Sequence, residues 1–249
     1  LVLDEFADPI VDEDAIEEFF ERADKEGDGQ INRDELIAAV NGPGRWGAVV
    51  EAAIPYCLGD SYVDEKSNRQ FRVVATIPKM FEVDYADDKG YEFQAGRNLH
   101  PDYLKPEHFL EAVIGSVVAS QAGLKVGDGI EPTHGVSSKD GKNHHQFKIV
   151  GILKPTGTPN DRAVFINMEG FYTFGDHAKD GKSRLHVKKD KDGRELEVDA
   201  QRTPIEQREV TAILVRTKKS LTLNADISAN TIWERVNEGN VAQAVFPVK

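Results

Sequence analysis

The chain has 249 residues, 39% of them hydrophobic, enough to bury one large core or two modest ones. Its formal net charge is −12, and residues 1–40 alone hold 14 acidic and 3 basic side chains, so the remainder is close to neutral. That balance excludes a nucleic-acid binder, which needs a basic face, and the lack of any run of eighteen apolar residues excludes a membrane span in these residues.

The acidic segment opens with a helix predicted over 14–23. Asp12 or Asp14 can cap it, and Ile16, Phe19, Phe20 and Ala23 make one apolar face. The string Asp24-Lys-Glu-Gly-Asp-Gly-Gln-Ile-Asn-Arg-Asp-Glu35 follows. It fits a twelve-residue EF-hand calcium loop. Asp24, Glu26, Asp28 and Asn32 supply side-chain oxygens at positions 1, 3, 5 and 9, Gln30 its backbone carbonyl at position 7, and Glu35 two carboxylate oxygens at position 12. Gly29 stands where the loop turns sharply. Calcium takes six to eight hard oxygens, which gives this spacing a physical purpose. The plainer alternative is an acidic turn between two helices. A second helix over 33–40, with Leu36, Ile37 and Val40 inward, stops at Asn41-Gly-Pro-Gly44. The strings Asp87-Asp-Lys-Gly90 and Asp190-Lys-Asp-Gly193 lack the glycine and glutamate of such a loop and read as hairpin turns.

Beyond residue 45 the pattern is mixed. Strands are predicted over 49–58 and 71–77, joined by a polar turn over 59–70. A helix is expected within 106–123, with Phe109, Leu110, Val113, Ile114, Val117 and Val118 inward, ending in a turn over 123–128. A strand start over 129–133, strands over 146–153 and 163–166, and a short helix over 168–174 come next. Residues 185–198 read as a hairpin, 209–217 as a strand, 227–238 as a helix and 241–248 as a strand. Strands and helices mix without regular βαβ alternation, so the fold class is α+β.

Five strings in order resemble the extracytoplasmic domain of ABC-transporter permeases of the MacB/FtsX/LolC type. They are Ala53-Ile-Pro-Tyr-Cys-Leu-Gly-Asp-Ser-Tyr62, Phe71-Arg-Val-Val-Ala-Thr-Ile77, Ala112-Val-Ile-Gly-Ser-Val-Val-Ala-Ser-Gln-Ala-Gly-Leu-Lys-Val-Gly-Asp128, Phe147-Lys-Ile-Val-Gly-Ile-Leu-Lys-Pro-Thr-Gly-Thr-Pro-Asn-Asp-Arg162 and Ala242-Gln-Ala-Val-Phe-Pro247. The resemblance implies a MacB-like periplasmic core domain over 46–249, of two subdomains: about 46–105 with 205–249, and 106–204. Residues 1–45 are then the EF-hand-containing segment, within which 4–44 look like an insertion near the start of the domain that the family does not generally have. The resemblance further implies a non-enzymatic domain on the periplasmic side of a bacterial inner membrane. It would be joined to transmembrane helices of the same permease, served by a cognate ABC ATPase, and dimeric in the full transporter. Its counterpart outside would be a periplasmic partner or a lipid, lipoprotein or peptide substrate. A chain starting at Leu1 is expected to be a piece of a longer protein.

Other chemistry is sparse. Cys57, the single cysteine, lies in an apolar run and reads as a small core residue. His134, His144 and His145 form the one histidine cluster, which would suit a metal-dependent hydrolase if a turn gathered them. Adjacent histidines on a strand point to opposite faces, which favours a structural or solvated role. Pro155-Thr-Gly-Thr-Pro159 is a stiff surface loop, either a rigid turn or a contact for a partner or substrate. No nucleophile elbow or phosphate loop is present. The competing reading of the whole is a soluble calcium-binding sensor or buffer.

Overall fold

The computed structural model describes residues 50–64, 66–86, 89–134, 145–189 and 195–217, with 233, 237 and 243–245. The chain divides into two compact units, one of residues 1–53 and 214–249 and one of residues 54–213.

The described strands are β1 (Val50–Asp64), β2 (Arg69–Thr76), β3 (Phe93–Gly96), β4 (Glu111–Ile114), β5 (Gly129–Ile130), β6 (Thr133–His134), β7 (Phe147–Leu153), β8 (Ala163–Asn167), β9 (Leu185–Lys189), β10 (Glu195–Ala200) and β11 (Ala212–Thr217). Two short helices are described, α1 (Ser116–Ala122) and α2 (Met168–Tyr172), with 3₁₀ turns at Pro78–Phe81, Pro106–His108, Pro159–Arg162, Gly175–His177 and Ile205–Gln207. Most described residues in regular elements are therefore strand, in a mixed sheet, and the fold class is α+β as the pattern implies.

In the unit of 54–213 the sheet runs β1-β2-β8-β4-β7-β3, with β6 on β1 and β5 on β7. The pairs β2–β8 and β4–β7 are parallel, and β1–β2, β4–β8 and β3–β7 antiparallel. The middle strands are covered on both faces: all five residues of β8 and all four of β4 are buried. Phe81 meets Phe165 edge-on at 5.2 Å and Phe93 at 6.0 Å, closing one side of this core. The hairpin β9–β10 forms a separate two-stranded sheet, as its alternation implies. In the unit of 1–53 and 214–249, Arg216 Nε donates to Glu51 at 3.0 Å. Trp233 and Asn237 are helical, in line with the helix expected over 227–238, and the Asn237 amide grips both backbone groups of Ala244, at 3.0 and 3.1 Å.

The structure corrects three expectations. The apolar run before Gly115 is not helix. Ala112, Val113 and Ile114 are strand β4, fully buried between β7 and β8, because a run apolar on every side suits a strand covered on both faces. The helix there is only α1, and Gly123, at φ +68°, caps it with Leu124 N–H donating to Ala119 O at 3.0 Å. Next, β1 does not stop at residue 58. It shifts register between Leu58 and Ser61 and runs on to Asp64, and the described turn before β2 is residues 66–68, so 59–64 and 69–70 of the expected turn are strand. The polar Asp60, Ser61 and Asp64 hid this, since they are buried polar residues of a strand. Lastly, β11 starts at Ala212, three residues later than expected, and residues 243–245 of the strand expected over 241–248 are in no strand.

Candidate functional site

The calcium-loop residues Asp24, Glu26, Asp28, Gln30, Asn32 and Glu35 lie outside the described residues, as does His144. His134 pairs through its backbone with Asp60, and the His145 ring stacks on Phe174 at 6.2 Å between centroids. Among the described residues, no three His, Cys, Asp or Glu side chains are placed to hold a metal ion.

What the fold does bring together is a set of charge clusters in the unit of 54–213. The deepest is built on α2. Asn167 caps this helix by accepting from Glu169 N–H at 2.9 Å, while its own amide donates to Tyr103 O and His108 O. Glu169 is thereby fixed with no exposed surface. Arg208 donates to both of its oxygens, at 2.9 and 3.0 Å, and Arg202 adds a contact at 3.0 Å. Burial raises the Glu169 pKa, but the two guanidinium groups outweigh it and hold the carboxyl below the usual range. Arg208 also donates to Thr203 O at 2.6 Å and lies 5.2 Å from the Tyr172 ring centre.

Beside this centre is a groove of about 280 Å³ lined by Cys57, Leu58, Phe171, the segment 176–179 and the segment 209–211. Asp60 Oδ2 sits 3.2 Å from Nε2 of the groove-lining His177, and both side chains are buried. His177 stacks on Phe171 at 3.8 Å. At the rim, Lys179 Nζ is 3.6 Å from Glu209. The Tyr172 hydroxyl donates to Glu209 O at 2.5 Å and lies 3.1 Å from Cys57 Sγ, which donates to the same carbonyl at 3.3 Å. Cys57 is 2% exposed, in keeping with its place in an apolar run.

A second cluster surrounds Glu111 at the start of β4. Arg97 donates to both carboxylate oxygens, at 2.6 and 3.0 Å, His100 N–H donates at 2.9 Å, and His108 Nδ1 lies at 3.1 Å. Burial again raises the Glu111 pKa, and Arg97 with the other donors brings the net position below the usual range.

The loop over 155–159 is tied down by hydrogen bonds to one carboxylate. Asp161, buried at its base, accepts from Thr156 N–H at 2.7 Å, Thr156 Oγ1 at 2.8 Å and Gly157 N–H at 2.8 Å. Gly115 packs beneath it: a Cβ there would fall 2.4 Å from the carbonyl oxygens of Asn160 and Asp161. Asn160 donates to the Tyr91 hydroxyl at 2.6 Å, and burial holds that phenol above its usual range.

Sequence reasoning missed the Asp60–His177, Glu169–Arg208 and Arg97–Glu111 pairs. The first two join residues 117 and 39 positions apart, and no local spacing signals such a contact.

No family model matches the chain, and no curated protein does. Among solved structures, a domain of a protein named as a permease from Porphyromonas gingivalis aligns with 76% of this chain at 12% identity, with a TM-score of 0.37. The chain spans 62% of that domain's length. Among the described residues, no helix is long and apolar enough to cross a membrane.

Proposed function

We propose that this chain is an extracytoplasmic domain of an ABC-transporter permease of the MacB/FtsX/LolC type, carrying one calcium-binding EF-hand. The observation that carries this reading is the order of the five resembling strings. Four of them are also structurally central: they lie in β1, β2, β4 with α1, and β7 with the rigid loop after it. The domain acts without catalysis. It relays motion driven by a separate ATPase to a substrate or partner on the periplasmic side of the inner membrane. Its division is 1–45 for the calcium module and 46–249 for the periplasmic core, of two subdomains.

In the calcium module, Asp24, Glu26, Asp28, Asn32 and Glu35 would hold the ion through side-chain oxygens and Gln30 through its carbonyl. Extracellular modules of this kind bind calcium at about 10⁻⁴ to 10⁻³ M, so the ion serves as a standing clip. Without it, the carboxylates of Asp24, Glu26, Asp28 and Glu35 repel one another and loosen the segment.

Two measurements test the proposal. In the full-length gene product with Cys57→Ala and Lys154→Cys, a membrane-impermeant maleimide should label intact spheroplasts; labelling only after lysis overturns the extracytoplasmic placement. Calorimetric calcium titration should give weak binding that Glu35→Gln abolishes. Micromolar binding with calcium-dependent exposure of apolar surface would instead favour the soluble sensor reading.

A further inference from the structure

Strand β3 closes one end of the sheet in the unit of 54–213. It pairs with β7, and among the described residues no strand lies along its other edge. The pairing fixes which backbone groups face outward. Glu92 O accepts from Lys154 N–H and Arg97 N–H donates to Val150 O, both at 2.8 Å, so residues 92 and 97 turn their backbone groups toward β7. Successive strand residues turn theirs to opposite edges, so Phe93 and Gly96, the partners of Leu153 and Gly151, present N–H and C=O outward. A bulge lies between them, and Gln94, Ala95 and Gly96 are exposed.

Two apolar features flank this edge. Tyr91 and Phe93 both pack on Phe81, at 5.5 and 6.0 Å between ring centres, and Tyr85 adds a third ring 5.0 Å from Tyr91. Tyr85, Tyr91 and Phe93 are half-buried. The Asn160 amide donates to the Tyr91 hydroxyl at 2.6 Å, which anchors this aromatic shelf to the end of the tied-down loop over 155–159. At the Gly96 end stands Val126, 42% exposed, whose Cγ2 would lie 2.9 Å from a Cβ on Gly96. The charges at either end of the strand are already matched, Glu92 with Lys154 and Arg97 with Glu111.

We propose that the β3 edge is a docking site for an extended segment of a partner polypeptide, which adds a strand to the sheet. A segment residue opposite Phe93 shares its face, so an aromatic or branched apolar side chain there meets the shelf, and a second apolar side chain meets Val126. Size selects this occupant over a second copy of the chain: a four-residue edge buries far less than the roughly 1,200 Å² of a stable interface between folded proteins. The bulge bends β3, and a flexible segment can follow that bend where the edge of a folded sheet cannot. Backbone hydrogen bonds and apolar contact carry the binding. Its biological role rests on the partner-handling reading above; the binding itself is measured without that reading, so either can fail while the other stands.

In the free chain, amide exchange at Phe93 and Gly96 should run near the unprotected rate, while Arg97, bonded to Val150, is slowed. Random linear decapeptides displayed on phage and selected on the whole chain should yield sequences with apolar residues at strand spacing. A synthetic peptide of such a sequence should slow exchange at Phe93 and Gly96 by about tenfold at saturation. Its affinity should change less than about twofold between about 0.1 and 1 M salt. It should fall about tenfold in Val126→Asp, which sets an unpaired charge in the contact at a position exposed in the free chain. Protection of Phe93 and Gly96 in the dilute free chain overturns the proposal. So does a selection that yields no peptide sensitive to Val126→Asp, or a selected peptide that leaves both amides unchanged. Protection that grows with protein concentration alone also overturns it, and assigns the edge to a second copy.

Discussion

Glu169 and Glu111 present the same chemistry at two depths. Each is a carboxylate gripped through both oxygens by one arginine fork, Arg208 or Arg97. Glu169 and Arg208 are both buried, whereas the Arg97 side chain is 49% exposed. Depth decides what each pair is worth. A buried charge stripped of its partner cannot recover its hydration, while an exposed guanidinium is solvated by water when its partner goes.

Replacement at the buried centre should have the largest effect. Glu169→Gln leaves Arg208 charged in the interior and should cost about 3–5 kcal/mol in urea unfolding. Glu169→Leu combined with Arg208→Met should cost less than the single change, because neither charge is then left behind. A double variant weaker than the single would show that the pair itself, and not the stranded cation, carries the stability.

Two intermediate changes test the region between these depths. Asp161→Ala removes an acceptor from three donors at the base of the loop over 155–159, and should cost about 2 kcal/mol while raising amide exchange at Thr156 and Gly157. Gly115→Ala drives a methyl against two backbone carbonyls and should cost about 1–3 kcal/mol by the same measurement. The smallest effect belongs to the exposed fork: Glu111→Gln leaves the half-exposed Arg97 to be solvated by water and should cost at most about 1 kcal/mol, less in high salt. A cost near that of Glu169→Gln would break the argument from depth.

Acid sharpens the same comparison. Both carboxyls are held below the ordinary glutamate value of 4.5. Each therefore contributes stability that is complete above 4.5 and is lost as pH falls through its lower folded value. Urea midpoints followed downward from about pH 6 should fall in that acid window, and Glu169→Gln should flatten the fall.

The strands of this fold were legible where the pattern was local. Residues 71–77, 146–153 and 163–166 show β-branched, apolar runs, and all three are strands. The error at 111–114 has a physical root. Apolar side chains at helical spacing and a strand buried on both faces give the same short string, and only the neighbours β7 and β8 separate them. Glycine and polar residues at 59–64 look like a turn, while Asp60 there is a strand residue that meets His177 from far along the chain. The ion-paired centres were illegible for the same reason, since each needs the folded sheet to bring its partners together. The calcium loop is the converse case, a site whose whole ligand set is one contiguous string.

The placement of β8 has a consequence for biosynthesis. Arg72 in β2 pairs with Ala163 in β8, and β8 also supplies the neighbour of β4. A nascent chain emerging from the ribosome holds β2 and β4 long before β8 exists. Until residues 163–167 arrive, β2 and β4 each keep an open edge, and contacts that distant in sequence close slowly. A pause in translation between β7 and β8 would lengthen that exposure, so this domain should depend on holding chaperones more than its size suggests.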